Sequence, residues 1–523
     1  MSALPVSTAS SETRIRGLTL VSVIIALMLT LFLESLDQTI VGTAMPRIIA
    51  ELRGLDRYTW VVTAYVLMAT IAVPIVGKLS DLFGRKVFLL GGTTLFLLGS
   101  LLAGAAQTMD QFIAFRALQG LGAGMGMALV ATVFGDLFPP DERAKWGGVF
   151  GLVYGVSNLC GPTLGGWLAE HGPLLGSLVT ESGRWRWVFY INLPIGLLAV
   201  AALLLFLPAN LSARTTEATG WAAVRRIDFP GALLSAAATI CLMLGLTWGS
   251  TQMYAWSSLQ VSGLLAVGAV LLILFLLAER KAGEPILPLD LFSNRAFSVV
   301  AVLCVLSIMV LMGLSLYLPL FLQGVLSASP TTAGLVMTAL TVSMVIGAMS
   351  FGPLISATKR YRPFVILGAL LMTAGIFLLT LMTPATSFWQ AIMFMILAGV
   401  GTGTFFVVPV IAQNVMPQSQ LGVVTASIRY MGQLGATLGI AIVGTAVTSS
   451  VSGELTQRLP VNQAEQLMFA QALQHGFVAV LIFGGITLLA SFFLKEVPFV
   501  TVAHASAAET GDVALEESPV STL

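Results

Sequence analysis

What most constrains this chain is a string of fourteen apolar runs. They lie at roughly 18–45, 58–78, 86–106, 111–135, 144–169, 187–208, 228–250, 257–278, 296–323, 331–357, 363–382, 388–414, 421–449 and 473–494. Each is closed by proline, glycine or charged punctuation. About 20 apolar residues in helical form cross the hydrocarbon core of a bilayer. Inside lipid every backbone N–H and C=O has to be satisfied by the protein, so only helices or a closed barrel can span it. The alternating segments of about ten residues that build a barrel are absent. An all-α polytopic membrane protein is expected. Only 9% of the 523 residues are charged, against about 25% in soluble domains. The net charge of +1 argues against a nucleic-acid partner.

The polar segment 1–17 precedes a first run too long for a secretory h-region, with no clear small-residue cleavage site, so it reads as a tail ahead of an uncleaved span. Lysine and arginine set the orientation. With the N-terminus in the cytoplasm and fourteen crossings, 17 of the 25 fall inside, six outside, and two, Arg116 and Arg429, within spans. That bias expects both termini on the cytoplasmic side of a plasma (inner) membrane. The tail 496–523, rich in Ala, Ser, Thr and Glu, reads as disordered.

The second and tenth runs end alike: Gly77 aligns with Gly352, Leu79 with Leu354 and Arg85 with Arg360. This echo sets a six-helix bundle over 18–208 opposite another over 286–495, with two extra helices in a linker, 209–285. Two repeats about an axis along the membrane normal imply a cavity between them and alternating access. Their chemistry is unequal. The first carries Glu34, Asp37 and Arg116 within its spans and the second only Arg429, so a proton site belongs to the first. Three scattered cysteines and three histidines give no metal-ligand spacing or disulfide framework. There is no G-x-x-x-x-G-K-[S/T] segment for an ATP-driven pump and no nucleophile constellation for an enzyme, so no cofactor is expected.

Several segments resemble motifs of the Major Facilitator Superfamily, and jointly those of its fourteen-span drug–proton antiporters. Gly77–Lys86 (G-K-L-S-D-L-F-G-R-K) resembles the loop motif between the second and third spans. L-D-Q-T-I-V-G-T-A-M-P at 36–46 resembles the first-span motif, and F-R-A-L-Q-G-L-G-A-G at 115–124 the fourth-span motif with its buried arginine. G-P-T-L-G-G at 161–166 is similar to the antiporter motif of the fifth span, and R-W-R-W-V-F-Y-I-N-L-P-I-G at 184–196 to the entry of the sixth. P-L-D-L-F-S-N-R-A-F and Y-L-P-L-F-L-Q, from Pro288 and Tyr317, agree. The resemblance implies multidrug efflux: proton-coupled export of lipophilic, often cationic small molecules. Export of an endogenous lipid or lipid-linked molecule by the same fold is the alternative, and the fold works as a monomer.

Glu34 and Asp37 are three apart and share a helical face. A carboxylate at bilayer depth costs roughly 3 kcal/mol and marks an ion pathway by default. Two neighbouring acids cannot both ionise easily, which suits the pair to hold and release one proton. Glu34 has a second reading, recognition of cationic substrates. Arg116 needs a counter-ion, and Asp37 is the obvious one; the bland reading is a static buried pair. In the loop, Gly84 permits the turn, Arg85 is also topogenic, and Asp81 can meet a helix N-terminus or an arginine of the other half. With Gly77 they form a candidate cytoplasmic gate. Gly161, Pro162 and Gly165 read as close packing first and a rocking hinge second. Arg429 either faces the cavity or snorkels to the interface. Candidate cavity residues are Tyr65, Asn158, Tyr317, Gln323, Gln413, Asn414 and Tyr430, each equally readable as interfacial or packing.

Overall fold

The structure, a computed structural model, describes residues 17–137, 140–176, 179–208, 229–250, 253–280, 289–358, 360–415, 421–451, 459–460 and 462–496. The terminal tails and part of the linker between the halves lie outside these residues. Among the described residues there is no β-strand, only an isolated bridge between Leu175 and Val179.

Helix occupies most of each of the fourteen apolar runs. The first bundle is α1 (Leu18–Leu52), α2 (Tyr58–Phe83), α3 (Arg85–Ala105), α4 (Met109–Leu137), α5 (Pro140–His171) and α6 (Asn192–Phe206). An inserted pair follows, α7 (Phe229–Ser250) and α8 (Leu259–Glu279). The second bundle is α9 (Arg295–Gly324), α10 (Pro330–Thr358), α11 (Arg362–Thr380), α12 (Phe388–Gly403), α13 (Leu421–Thr448) and α14 (Gln463–Ser491). Among the described residues, eleven helices are long and apolar enough to cross a bilayer.

Boundaries follow local chemistry. α1 runs through Pro46 to Leu52, past the limit that the apolar pattern suggests. It stops where Arg53 (φ 55°) and Gly54 (φ 114°) turn left-handed. α14 begins ten residues before its apolar run, because Asn462 caps Glu465 N–H at 2.9 Å and Q-A-E-Q-L-M-F-A-Q is good helix-forming sequence. The run 388–414 is broken. α12 gives way to a tight turn, Thr404–Phe406, before a short helix, Val408–Val415. Gly399, Gly401 and Gly403 weaken the helix there, and Pro409 cannot donate to it.

Within the first bundle α3 and α2 pack on α4, and α5 and α6 on α1; within the second α12 packs on α10 and α11, and α9 on α13 and α14. α7 and α8 pair, and α7 also lies against α2 and α13, one from each bundle. One end of the molecule gathers basic residues: Lys86 donates to Leu204 O at 2.8 Å and Arg362 to Phe492 O at 2.9 Å. The bundles meet towards the other end. Tyr58 donates to Leu316 O, Gln323 to Thr43 O at 2.8 Å, and Thr59 and Tyr317 hydroxyls lie 3.3 Å apart.

That end is clasped within the first bundle too. Arg186, buried, donates to Gly104 O, Ala106 O and Glu51 Oε1 at 2.8, 2.7 and 2.9 Å. Trp185 donates to Glu51 Oε2 at 2.7 Å and stacks edge-on with Phe112 and Phe189. In the sequence Arg186 is one of the six cations assigned to the outer side; its partners make it a clip joining α1, α3 and the entry to α6. Arg186→Ala strands Glu51 and the carbonyls of Gly104 and Ala106. It is expected to lower stability by about 3 kcal/mol or more, read as a fall in the melting temperature of purified protein, with Arg186→Lys intermediate.

Candidate functional site

The first bundle encloses a small charge cluster. Asp37 on α1 is fully buried and Arg116 on α4 is 2% exposed. Arg116 Nη1 lies 2.6 Å from Asp37 Oδ2. The same nitrogen donates to Gln119 Oε1 at 2.7 Å, one turn along α4, and Gln119 Nε2 donates to Asp37 Oδ1 at 2.8 Å. Asn192, the first residue of α6, places Nδ2 3.4 Å from Asp37 Oδ1 and 2.9 Å from Ser100 Oγ on α3. Ser100 donates to Phe189 O at 2.9 Å. The guanidinium sits over the Tyr65 ring of α2, 4.3 Å from its centroid.

Local packing builds this geometry. Gly120 lets α4 approach the backbone of Tyr65 so closely that a Cβ would strike its carbonyl. That contact brings the Tyr65 ring under Arg116. The two amides extend the pair: Gln119 and Asn192 donate to the Asp37 carboxyl and Gln119 Oε1 accepts from Arg116 Nη1, while the buried Arg116 Nε meets no acceptor among the described residues. One carboxylate therefore faces one guanidinium, flanked by neutral groups that can donate or accept.

Glu34 is 1% exposed and also turned towards α4, but at Gly126, ten residues beyond Arg116. A Cβ on Gly126 would collide with Glu34 Oε1. The structure thus gives Asp37 the guanidinium and Glu34 a glycine-made recess, each acid with its own surroundings.

The other sequence-derived residues are spread over both bundles. In the loop, Gly84 takes φ 96°, and Arg85 is buried with Nη1 3.1 Å from Ser80 Oγ; Gly77 lies within α2, and the side chain of Asp81 lies outside the described residues. On α5, Gly161 and Gly165 abut Thr39, Ile40 and Thr43 of α1, and the Pro162 carbonyl abuts Gly334 of α10. Asn158 donates to Ser35 Oγ at 3.2 Å. Tyr65 belongs to the charge cluster, while Tyr317 and Gln323 belong to the seam between bundles. Tyr430 Oη lies 3.5 Å from Thr239 of α7, and the side chains of Arg429, Gln413 and Asn414 lie outside the described residues.

Four participants escaped the sequence reading: Gln119, Asn192, Ser100 and Glu170. The first two stand inside the quoted segments R-A-L-Q-G and Y-I-N-L-P, and a polar side chain in an apolar run was the available signal. Glu170, in the last turn of α5, accepts from Thr331 N at 3.1 Å, so it caps α10 of the other bundle.

A family model described as Major Facilitator Superfamily matches residues 27–440. Multidrug resistance protein 3 of Bacillus subtilis (strain 168) is 36% identical over 434 residues, covering 83% of this chain and 80% of its own. Multidrug transporter protein MdtP of the same organism is 37% identical over 437 residues, covering 83% and 77%. Among solved structures, a bacterial homologue of the human lysosomal transporter Spinster, inward-facing and occupied, superposes with a TM-score of 0.61 at 15% identity, covering 92% of this chain and 97% of that one. At that identity the likeness is one of fold.

Proposed function

The chain belongs to the Major Facilitator Superfamily, and we propose that it exports lipophilic, often cationic small molecules in exchange for protons by alternating access. The multidrug names of its relatives support the export reading. Proton coupling rests on one observation, the sealed pair of Asp37 and Arg116 inside a bundle. With Asp37 ionised, Arg116 and Gln119 tie α1 to α4. A proton on Asp37 removes the charge that Arg116 is drawn to, and the balance between two packings of the bundle shifts. A cationic substrate favours the ionised acid, so proton and substrate bind in competition.

Placing the basic end in the cytoplasm of a plasma membrane lets all fourteen helices cross, with both termini inside. Tyr58, Gln323 and Glu170 then close the outer face. Gly84 and Arg85, with Asp81, would form the opposing cytoplasmic gate.

The test is proton release from purified protein in weakly buffered detergent, on adding lipophilic cations and neutral amphiphiles. Release is expected from the parent, none from Asp37→Asn despite retained insertion, and a smaller change from Glu34→Gln. Undiminished release from Asp37→Asn would overturn the assignment of the proton site.

A further inference from the structure

The amide of Asn192 has a feature that the ion pair does not explain. Its Nδ2 has two acceptors, Asp37 Oδ1 at 3.4 Å and Ser100 Oγ at 2.9 Å. Its Oδ1 is fully buried and meets no donor among the described residues. A buried acceptor left without a donor costs about 1–3 kcal/mol, and turning it towards Asp37 satisfies it only when the acid carries a proton, because a carboxylate oxygen has nothing to donate.

We infer that Asn192 serves both protonation states of Asp37, its Nδ2 donating to the carboxylate and its Oδ1 accepting from the acid's O–H. This rests on the reading of Asp37 as the proton carrier. The amide is the right chemistry, since it has a donor and an acceptor of nearly equal size that exchange places by rotation about χ2. The contact to Asp37 is long for a hydrogen bond, so little is lost in breaking it. Ser100 can follow the exchange. Its hydroxyl now accepts from Nδ2 and donates to Phe189 O, and after rotation it can donate to Oδ1 instead. The far side of the amide offers no partner to the oxygen there now, so rotation forfeits no bond on that side.

Gln119 cannot take this part. Its oxygen is held by Arg116 at 2.7 Å and its nitrogen by Asp37 at 2.8 Å, so turning it would set its nitrogen against the guanidinium. Among the described residues, the charged or titratable groups around Asp37 are Arg116 from α4, Tyr65 from α2 and Glu34 on α1 itself. Each stays where it is while the amide turns, and no proton passes to Asn192. It is a positioning residue that keeps a hydrogen bond on the acid before and after the proton leaves.

The experiment is a pH-difference infrared spectrum of the purified full-length protein in detergent, for the parent, Asp37→Asn, Asn192→Thr and Ser100→Ala. The parent should lose a carboxylic-acid C=O band as pH rises, together with a change in a side-chain amide band; Asp37→Asn should lose both. Asn192→Thr should keep the acid band, displaced, and lose the amide change. Ser100→Ala should move the amide band, a readout available even where Asn192→Thr fails to fold. An acid band whose amide partner survives in Asn192→Thr, or is unmoved in Ser100→Ala, overturns the inference. The absence of any acid band lost in Asp37→Asn overturns the proton-carrier reading beneath it.

Discussion

Replacing Arg116 by leucine is expected to destabilise the protein by about 3–5 kcal/mol, and replacing Asp37 by asparagine in the same chain should restore most of that loss. The argument is one of stranded charge. Asp37 and Arg116 are both sealed from solvent and 2.6 Å apart. A buried pair roughly balances its desolvation, but a buried charge that has lost its partner does not. Gln119 and Asn192 would still donate to the Asp37 carboxylate, but two neutral amides do not replace a guanidinium. Taking the charge off the acid as well leaves a neutral cluster of similar shape. A thermal-unfolding cycle of the two single variants and the double variant in one detergent measures this. Additive losses would mean the residues do not act as a pair. The same cycle separates stability from function, since the rescued double variant should fold and insert yet release no proton when substrate is added.

What the sequence makes legible differs by level. Runs of membrane-crossing length force helices, because lipid offers the backbone no alternative partner, and that is why helix occupies most of each of the fourteen runs. Ends are less legible. Pro46 looks like a stop, yet the helix tolerates it for another six residues, whereas three glycines and Pro409 do break α12. The pairing of Asp37 with Arg116 follows from sequence because an isolated cation in a span needs a counter-ion, and few are on offer. The amides do not follow, since Asn192 is 155 residues from Asp37 and only the packing of α6 on α1 brings it there. Nor does the separation of Glu34 from Asp37. Helical spacing puts both on one face, but it is Gly126 on a neighbouring helix that makes the recess for Glu34.

Gly334→Leu should open the seam between the bundles. α5 and α10 meet backbone to backbone at two reciprocal points. A Cβ on Gly334 would strike the carbonyl of Pro162, and a Cβ on Gly166 would strike that of Pro330. A backbone carbonyl cannot step aside as a flexible side chain can, so the helices must separate. The hydrogen bond between Thr163 and Thr338 and the Glu170 cap on α10 are then lost together. Glu170→Gln removes only the cap charge, worth about 0.3–1 kcal/mol at a helix N-terminus, so it should shift the balance only a few-fold. Spin labels at Leu174 and Ser327, both exposed beside this seam, give the readout. Their separation should increase for most molecules of Gly334→Leu and for a minority of Glu170→Gln. In the glycine variant, accessibility of the basic end should fall as the seam opens, because alternating access ties the two. Opening at one end without closure at the other would mean that the bundles flex locally and do not rock as bodies.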